Sequence, residues 1–165
     1  MEQLFDKLKE LIARQTSAYG KLLDLSRSEK EAIIKNDVPK LNAIVEEEQK
    51  GLKTIIKLES ERKELFSNFS EETGIDKPYI SDIIAMTAGT VREELKATEE
   101  ELENTAAELN RVNKLNKMLI ETQIQYSSFY MDLLTGPVNT METYSNSGRL
   151  NDKATVSNRL LDQSV

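Results

Sequence analysis

The sequence predicts an all-α fold: an elongated antiparallel bundle of three long helices, with a short extra helix and a flexible C-terminal tail. Apolar residues recur at steps of three and four over three long stretches, which is the spacing of one face of an α-helix. The third stretch, from Thr90 to Thr135, contains neither proline nor glycine. Charged residues make up 31% of the chain and aromatic residues 5%, the balance of a well-solvated helical protein with a thin aliphatic core.

The composition excludes several classes of function. A length of 165 residues is natural for one domain, and a net charge of −7 argues against nucleic acid or an anionic membrane as the main partner. Cysteine is absent, which removes disulfides and fits a reducing cytoplasm. No stretch approaches the ~18 apolar residues of a membrane span, and the acidic N-terminus is unlike a signal peptide. We therefore expect a cytoplasmic protein with no membrane insertion.

The sequence shows no enzyme motif. Carboxylate-bridged metal sites in helical bundles use Glu-x-x-His pairs, and this chain has no histidine. The acidic runs at 46–49 and 99–103 lie on helical faces that also carry lysine, so solvated faces are favoured over a metal cage or an acid/base pair. There is no glycine-rich phosphate loop and no nucleophile beside a base. We expect no catalytic residue, no metal and no cofactor.

Two long helices are predicted first, over about 2–35 and 38–69. Asp37 is a good N-cap for the second helix, and Pro39 sits in its first turn, where its missing N–H costs nothing. So short a turn makes the two helices antiparallel neighbours. Gly51 indicates either a close helix crossing, which is weakly favoured, or a tolerated defect. The residues of the second helix predicted to face inward are Leu41, Ile44, Val45, Leu52, Ile55, Ile56, Leu58, Leu65 and Phe66.

A short helix over about 77–87 and a third long helix over about 90–135 complete the predicted bundle. Gly74 suits the left-handed residue after a helix, and Asp76 and Pro78 suit the start of the next. Thr90 and Glu93 have the spacing of a capping box. At 1.5 Å per residue the third long helix is about 20 Å longer than the first two, so its end should extend beyond them.

The apolar face of this last helix widens after Leu109 to roughly 200° of the circumference, more than one packed side needs. Either two neighbouring helices cover it or it binds a partner, and the predicted overhang favours a partner. The helical residues expected to bind a partner are Val112, Leu115, Met118, Leu119, Tyr126, Phe129, Tyr130, Leu133 and Leu134.

Residues 136–165 differ abruptly in composition. They are rich in Ser, Thr and Asn, carry scattered apolar residues, and have no net charge. Such a segment does not offset its own ordering entropy, so we expect a mobile tail that can become partly helical on a partner, including a neighbouring molecule in a crystal. Its candidate partner-binding residues are Tyr144, Leu150, Leu160 and Leu161.

The order of several motifs resembles the FlgN family of flagellar type III export chaperones. The first is the run from Lys21 to Leu65, with Ile33, Ile34 and Asp37 before the turn. It continues through Leu41, Ile44, Val45 and Glu48 to the segment Leu58-Glu59-Ser60-Glu61-Arg62. The helix from Glu108 to Ile120, the segment 129–134, and the tail segment Tyr144–Gly148 follow in the family's order.

The resemblance implies a cytoplasmic chaperone for hook-associated proteins, which form the hook–filament junction. Such a chaperone binds the amphipathic terminal helix of its cargo, prevents premature assembly and delivers the cargo to the membrane export apparatus. The family's cargo-binding region corresponds here to the distal part of the last helix and the tail. The alternative is a structural coiled-coil tether or another homo-oligomeric interaction protein. A chaperone is expected to be a monomer or weak homodimer, whereas a tether is expected to be a stable oligomer.

Overall fold

The computed structural model describes residues 2–135, which form four α-helices and no strand within that range. They are α1 (Glu2–Lys35), α2 (Val38–Thr73), α3 (Ile80–Ala85) and α4 (Gly89–Thr135). The prediction of an all-α helical bundle with long packed helices is confirmed. The predicted mobile tail at 136–165, and any packing of it on a neighbouring molecule, lie outside the described residues.

Local capping explains where α2 begins and ends. The Asp37 carboxylate accepts a hydrogen bond from the Lys40 backbone N–H at 3.1 Å, as expected for an N-cap. At the other end Gly74 has φ 74°, and its N–H donates to the Ser70 carbonyl at 2.8 Å. Because glycine adopts this left-handed conformation without strain, α2 runs on to Thr73, past the predicted end at Phe69.

The last buried side chain of α2 lies just before this extra turn. Phe69 is fully buried, and its ring lies 5.6 Å from the ring of Phe5 on α1. The short helix α3 is shorter than the predicted 77–87, and the Asp82 carboxylate caps it by accepting from the Tyr79 backbone N–H at 2.8 Å. Of its side chains, Ile83 and Ile84 are buried.

The described residues divide into two units, a first that ends at Leu119 and a second that begins at Ile120. The core lies in the first unit and includes side chains from all four helices. Its fully buried apolar members are Leu8, Ile12, Phe69, Ile83 and Leu95. Close packing of α1 on α2 is visible at Gly51, where an added Cβ would lie 2.6 Å from Leu22 Cδ2. This contact supports the close crossing over the tolerated defect.

The inward face predicted for α2 is partly wrong. Ile44, Ile55, Leu58 and Leu65 are buried, but Val45, Leu52 and Ile56 are exposed. The physical reason is that α1 and the rest of the core cover only one side of α2. The residues predicted to face inward span a wider arc of the helix than that side.

Polar contacts between helices fix the first unit in register. Between α1 and α2, Arg14 Nη1 lies 2.9 Å from Glu61 Oε2, and Gln15 Nε2 donates to Glu59 Oε1 at 2.9 Å. Between α1 and α4, Lys9 pairs with Glu94. None of the helices within residues 2–135 is long and apolar enough to cross a membrane.

Candidate partner-binding surface on the distal part of α4

The burial of α4 changes along its length. Leu95, Leu109, Val112 and Asn116 are buried in the first unit. From Glu121 to Thr135 every side chain is exposed. This change coincides with the division of the chain after Leu119.

Large apolar side chains are concentrated in the exposed part of α4, within the second unit. Each is between 58% and 68% exposed, so more than half of each side chain is available for a contact. We call this set the distal α4 surface; it comprises Ile124, Tyr126, Phe129, Tyr130, Met131, Leu133 and Leu134. A contiguous apolar patch on a soluble protein marks an interaction site more often than a chance exposure.

The distal α4 surface is wider than the sequence analysis proposed. At about 100° per residue its side chains occupy roughly 220° of the helix circumference. Ile124 and Met131 were not among the predicted residues. The signal for them was present, because they are seven residues apart and follow Ile120 at helical spacing. The remaining, polar side of the helix carries Glu121, Gln125, Ser128 and Asp132.

Two of the aromatic side chains of this surface, Phe129 and Tyr130, contact each other. The rings of Phe129 and Tyr130 lie 6.0 Å apart at an interplanar angle of 67°, an edge-to-face arrangement. The surface is also weakly acidic, because residues 120–135 include Glu121 and Asp132 and neither lysine nor arginine. An apolar helix with basic flanking residues therefore has the complementary chemistry.

The other predicted partner-binding residues of α4 lie in the first unit and differ in burial. Met118 is 56% exposed, and Leu115 and Leu119 are half-buried. Val112 is 5% exposed and belongs to the hydrophobic core. The prediction that Val112 binds a partner is therefore wrong, because a partner cannot reach a side chain enclosed by the bundle. Tyr144, Leu150, Leu160 and Leu161 lie outside the described residues.

Within residues 2–135, no group of three or more acidic side chains is arranged to hold a metal ion. The two acidic runs lie on helix surfaces. A glutamate of the first run pairs with a lysine, and a glutamate of the second has a raised pKa. Glu47 lies 2.6 Å from Lys50 Nζ, one turn along α2. Burial raises the pKa of Glu99, and the nearby Glu103 raises it further, with Lys96 opposing both.

These features define a class of protein: an all-α bundle whose last long helix presents an exposed apolar surface of the kind that binds another helix. The particular family follows from comparison with known proteins. The family model described as "FlgN protein" matches residues 1–152, so the chain belongs to the FlgN family of flagellar export chaperones. The family predicted from the sequence motifs is thereby confirmed.

One curated relative is the uncharacterized protein YvyG of Bacillus subtilis (strain 168). It is 30% identical to this chain over 138 residues, which are 84% of each of the two proteins. No solved structure matches this chain.

Proposed function

We propose that this protein is a cytoplasmic export chaperone that binds the amphipathic terminal helix of hook-associated flagellar proteins through the distal α4 surface. The observation that carries the proposal is the exposure of this surface in a chain of the FlgN family. A cargo helix laid against it would bury its own apolar face and would thus be kept from premature assembly. The chaperone would then deliver the cargo to the membrane export apparatus.

The chemistry of the surface suits a reversible complex with an amphipathic helix. Tyr126 and Tyr130 combine a large apolar ring with a hydroxyl that can form hydrogen bonds at the edge of an interface. Met131 adapts to irregular partners because its unbranched side chain has several accessible rotamers. Met118, Leu115 and Leu119 are proposed as further contacts, with the two half-buried leucines contributing less free area.

The tail is proposed as a second part of the cargo site. Leu150, Leu160 and Leu161 can fold over the bound helix, and Tyr144 is assigned to the cargo site with them. A segment that orders on binding loses conformational entropy, which keeps the affinity moderate and permits release at the export gate. Deleting residues 137–165 should weaken cargo binding at least tenfold and leave the circular dichroism of the bundle unchanged. Unchanged affinity in calorimetry would remove the tail from the site.

The principal test changes two exposed residues of the distal α4 surface, Phe129→Asp together with Leu133→Asp. Truncating one central apolar contact commonly costs about 2 kcal/mol of binding, or roughly 30-fold in Kd, and charged replacements cost more. We therefore expect at least a 100-fold loss of affinity for a purified hook-associated protein of the same organism, measured by calorimetry. The bundle should retain its thermal transition because both side chains are exposed.

Ser128→Asp is the matched control, since it adds a carboxylate on the polar side of the same turn and should leave the affinity unchanged. A double variant that binds cargo as tightly as the parent would refute the proposed site. If Ser128→Asp weakens binding as much as the double variant, the loss reflects charge at this end of α4 and the apolar contact is refuted.

A further inference from the structure

The structure shows a second apolar surface, which the proposed function does not use. Val38, Val45, Leu52 and Ile56 on α2 are each between 39% and 69% exposed. Their spacings of seven, seven and four residues bring them within about 40° of the helix circumference at 100° per residue. We call this set the α2 stripe.

The packing of α2 on α1 keeps the α2 stripe facing solvent. Gly51 lies so close to Leu22 that an added Cβ would be 2.6 Å from its Cδ2. Gly51 is thus on the side of α2 that faces α1, and Ile55 and Leu58 on the same side are buried in the core. The α2 stripe lies roughly 100° around the helix from this buried side. Its apolar side chains are therefore exposed to solvent in a single copy of the chain.

We propose that the α2 stripe binds the α2 stripe of a second copy of this chain, with the two helices antiparallel. The charges beside the stripe favour this occupant. Glu46 and Lys53 are exposed, lie along the same flank of the stripe, and are seven residues apart. A two-fold axis between positions 49 and 50 places each Glu46 opposite the Lys53 of the other copy, giving two ion pairs across one interface.

The same axis also matches the apolar residues. With the axis between 49 and 50, the level of Val45 falls midway between the levels of Leu52 and Ile56 on the second helix. Each Val45 therefore packs into the space between two larger side chains. Such alternation is the ridge-and-groove arrangement that two packed helices require. One register thus satisfies both the charges and the apolar contacts.

The size of the stripe sets the strength of the proposed dimer. A fully exposed large aliphatic side chain presents about 60–120 Å² of apolar area, so four half-exposed ones supply roughly 200 Å² per copy. A stable complex typically buries about 800 Å² per partner. Polar Asn42 and Gln49 interrupt the stripe and weaken it further. The dimer is therefore weak and concentration-dependent, unlike the stable oligomer of a structural tether.

Sedimentation of the full chain from about 10 µM to about 1 mM tests the proposal, since weak dimers populate across this range. The parent should shift from monomer toward dimer, and Leu52→Lys should raise the dimer Kd at least tenfold. Leu133→Lys is the matched control, because it makes the same change at an exposed leucine of the distal α4 surface. Leu133→Lys should leave the dimer unchanged and weaken cargo binding. Leu52→Lys should weaken the dimer and leave cargo binding unchanged.

Charge exchange tests the register. Lys53→Glu should weaken the dimer, and combining it with Glu46→Lys should restore it, since the two ion pairs re-form with their signs reversed. The proposal is overturned by a parent that stays monomeric throughout the range. It is equally overturned by a dimer that survives Leu52→Lys, or by one that is lost only with Leu133→Lys. These outcomes leave cargo binding to be judged by its own assay.

The absence of native cysteine allows the helix direction to be tested by cross-linking. Gln49→Cys lies beside the proposed axis and should form an intermolecular disulfide on mild oxidation. Val38→Cys should not, because an antiparallel pair separates the two copies of position 38 by about 34 Å along the helix axis, at 1.5 Å per residue. Efficient cross-linking at position 38 would indicate a parallel pair and overturn the antiparallel arrangement.

Discussion

Replacing Gly51 with alanine offers a sharp test of how closely α1 packs on α2. Alanine is about 0.8–1 kcal/mol better than glycine in a helix interior, so on propensity alone Gly51→Ala would stabilise the protein. The structure predicts the opposite. The new Cβ would lie 2.6 Å from Leu22 Cδ2 and 3.3 Å from Leu22 Cγ. Because Leu22 is only 5% exposed, the core around it resists the necessary shift.

The two effects can be compared in magnitude. Inserting a carbon into a well-packed core costs typically about 1–3 kcal/mol. Subtracting the gain in propensity leaves a net loss of about 0–2 kcal/mol in the free energy of unfolding. Gly20→Ala is the matched control, because an added Cβ there has no atom within 4 Å. It should stabilise the protein by about 0.8–1 kcal/mol, which separates the two variants by at least that amount.

Urea unfolding followed by circular dichroism measures both variants. The cause is isolated by repeating Gly51→Ala in a Leu22→Ala background, where the obstructing side chain is gone. Leu22→Ala alone should cost about 2–5 kcal/mol, and Gly51→Ala should then become stabilising. If Gly51→Ala stabilises the parent as much as Gly20→Ala does, the close crossing of the two helices is refuted.

Two further predictions concern the ends and the polar contacts of α2. Asp37→Ala removes the acceptor for the Lys40 N–H and should lower the free energy of unfolding by about 1 kcal/mol, measured in urea. Burial raises the pKa of Glu48, so folding favours the protonated carboxyl. The free energy of unfolding therefore falls as the pH rises from the ordinary carboxyl pKa through the raised pKa of Glu48. Glu48→Gln should therefore stabilise the protein near neutral pH and have a smaller effect in acid.

The helices were predictable from the sequence because their signals are local. The spacing of apolar residues, the Asp37 cap and the proline in the next turn all act within a few residues, and α1 and the start of α2 fall where these signals place them. The end of α2 was less predictable. Gly74 was recognised as a terminator, but the predicted helix stopped at Phe69, before the turn that this glycine allows.

The faces of the helices were harder to predict, because periodicity does not reveal how many neighbours a helix has. Val45, Leu52 and Ile56 have the spacing of core residues and are nevertheless exposed. Conversely, Val112 lies on the same line as the residues of the distal α4 surface but is enclosed by the core. Only the arrangement of the other helices decides between these outcomes, and that arrangement depends on contacts far apart in the sequence.

A buried polar contact shows what holds α4 in its register. Asn116 Nδ2 donates to the Ser26 carbonyl at 2.7 Å and to Glu29 Oε2 at 2.6 Å. Ser26 Oγ in turn donates to Glu48 Oε1 at 3.2 Å, so the contact joins α1, α2 and α4. Aliphatic residues that repeat every three or four positions would tolerate a slip of one turn. A slip here would leave the Asn116 amide buried without its acceptors, at a cost of about 1–3 kcal/mol.

The register also determines which residues of α4 remain available to a partner. With Asn116 held against α1, Leu109 and Val112 lie in the core. If α4 slipped by one turn along α1, some side chains of α4 that are now buried would become exposed, and some exposed ones would become buried. The Oδ1 atom of Asn116 has no hydrogen-bond partner among the described residues, so the alignment depends on the two bonds that Nδ2 donates. The hydrogen bonds of Asn116 to α1 therefore fix the position along α4 at which the covered side chains end.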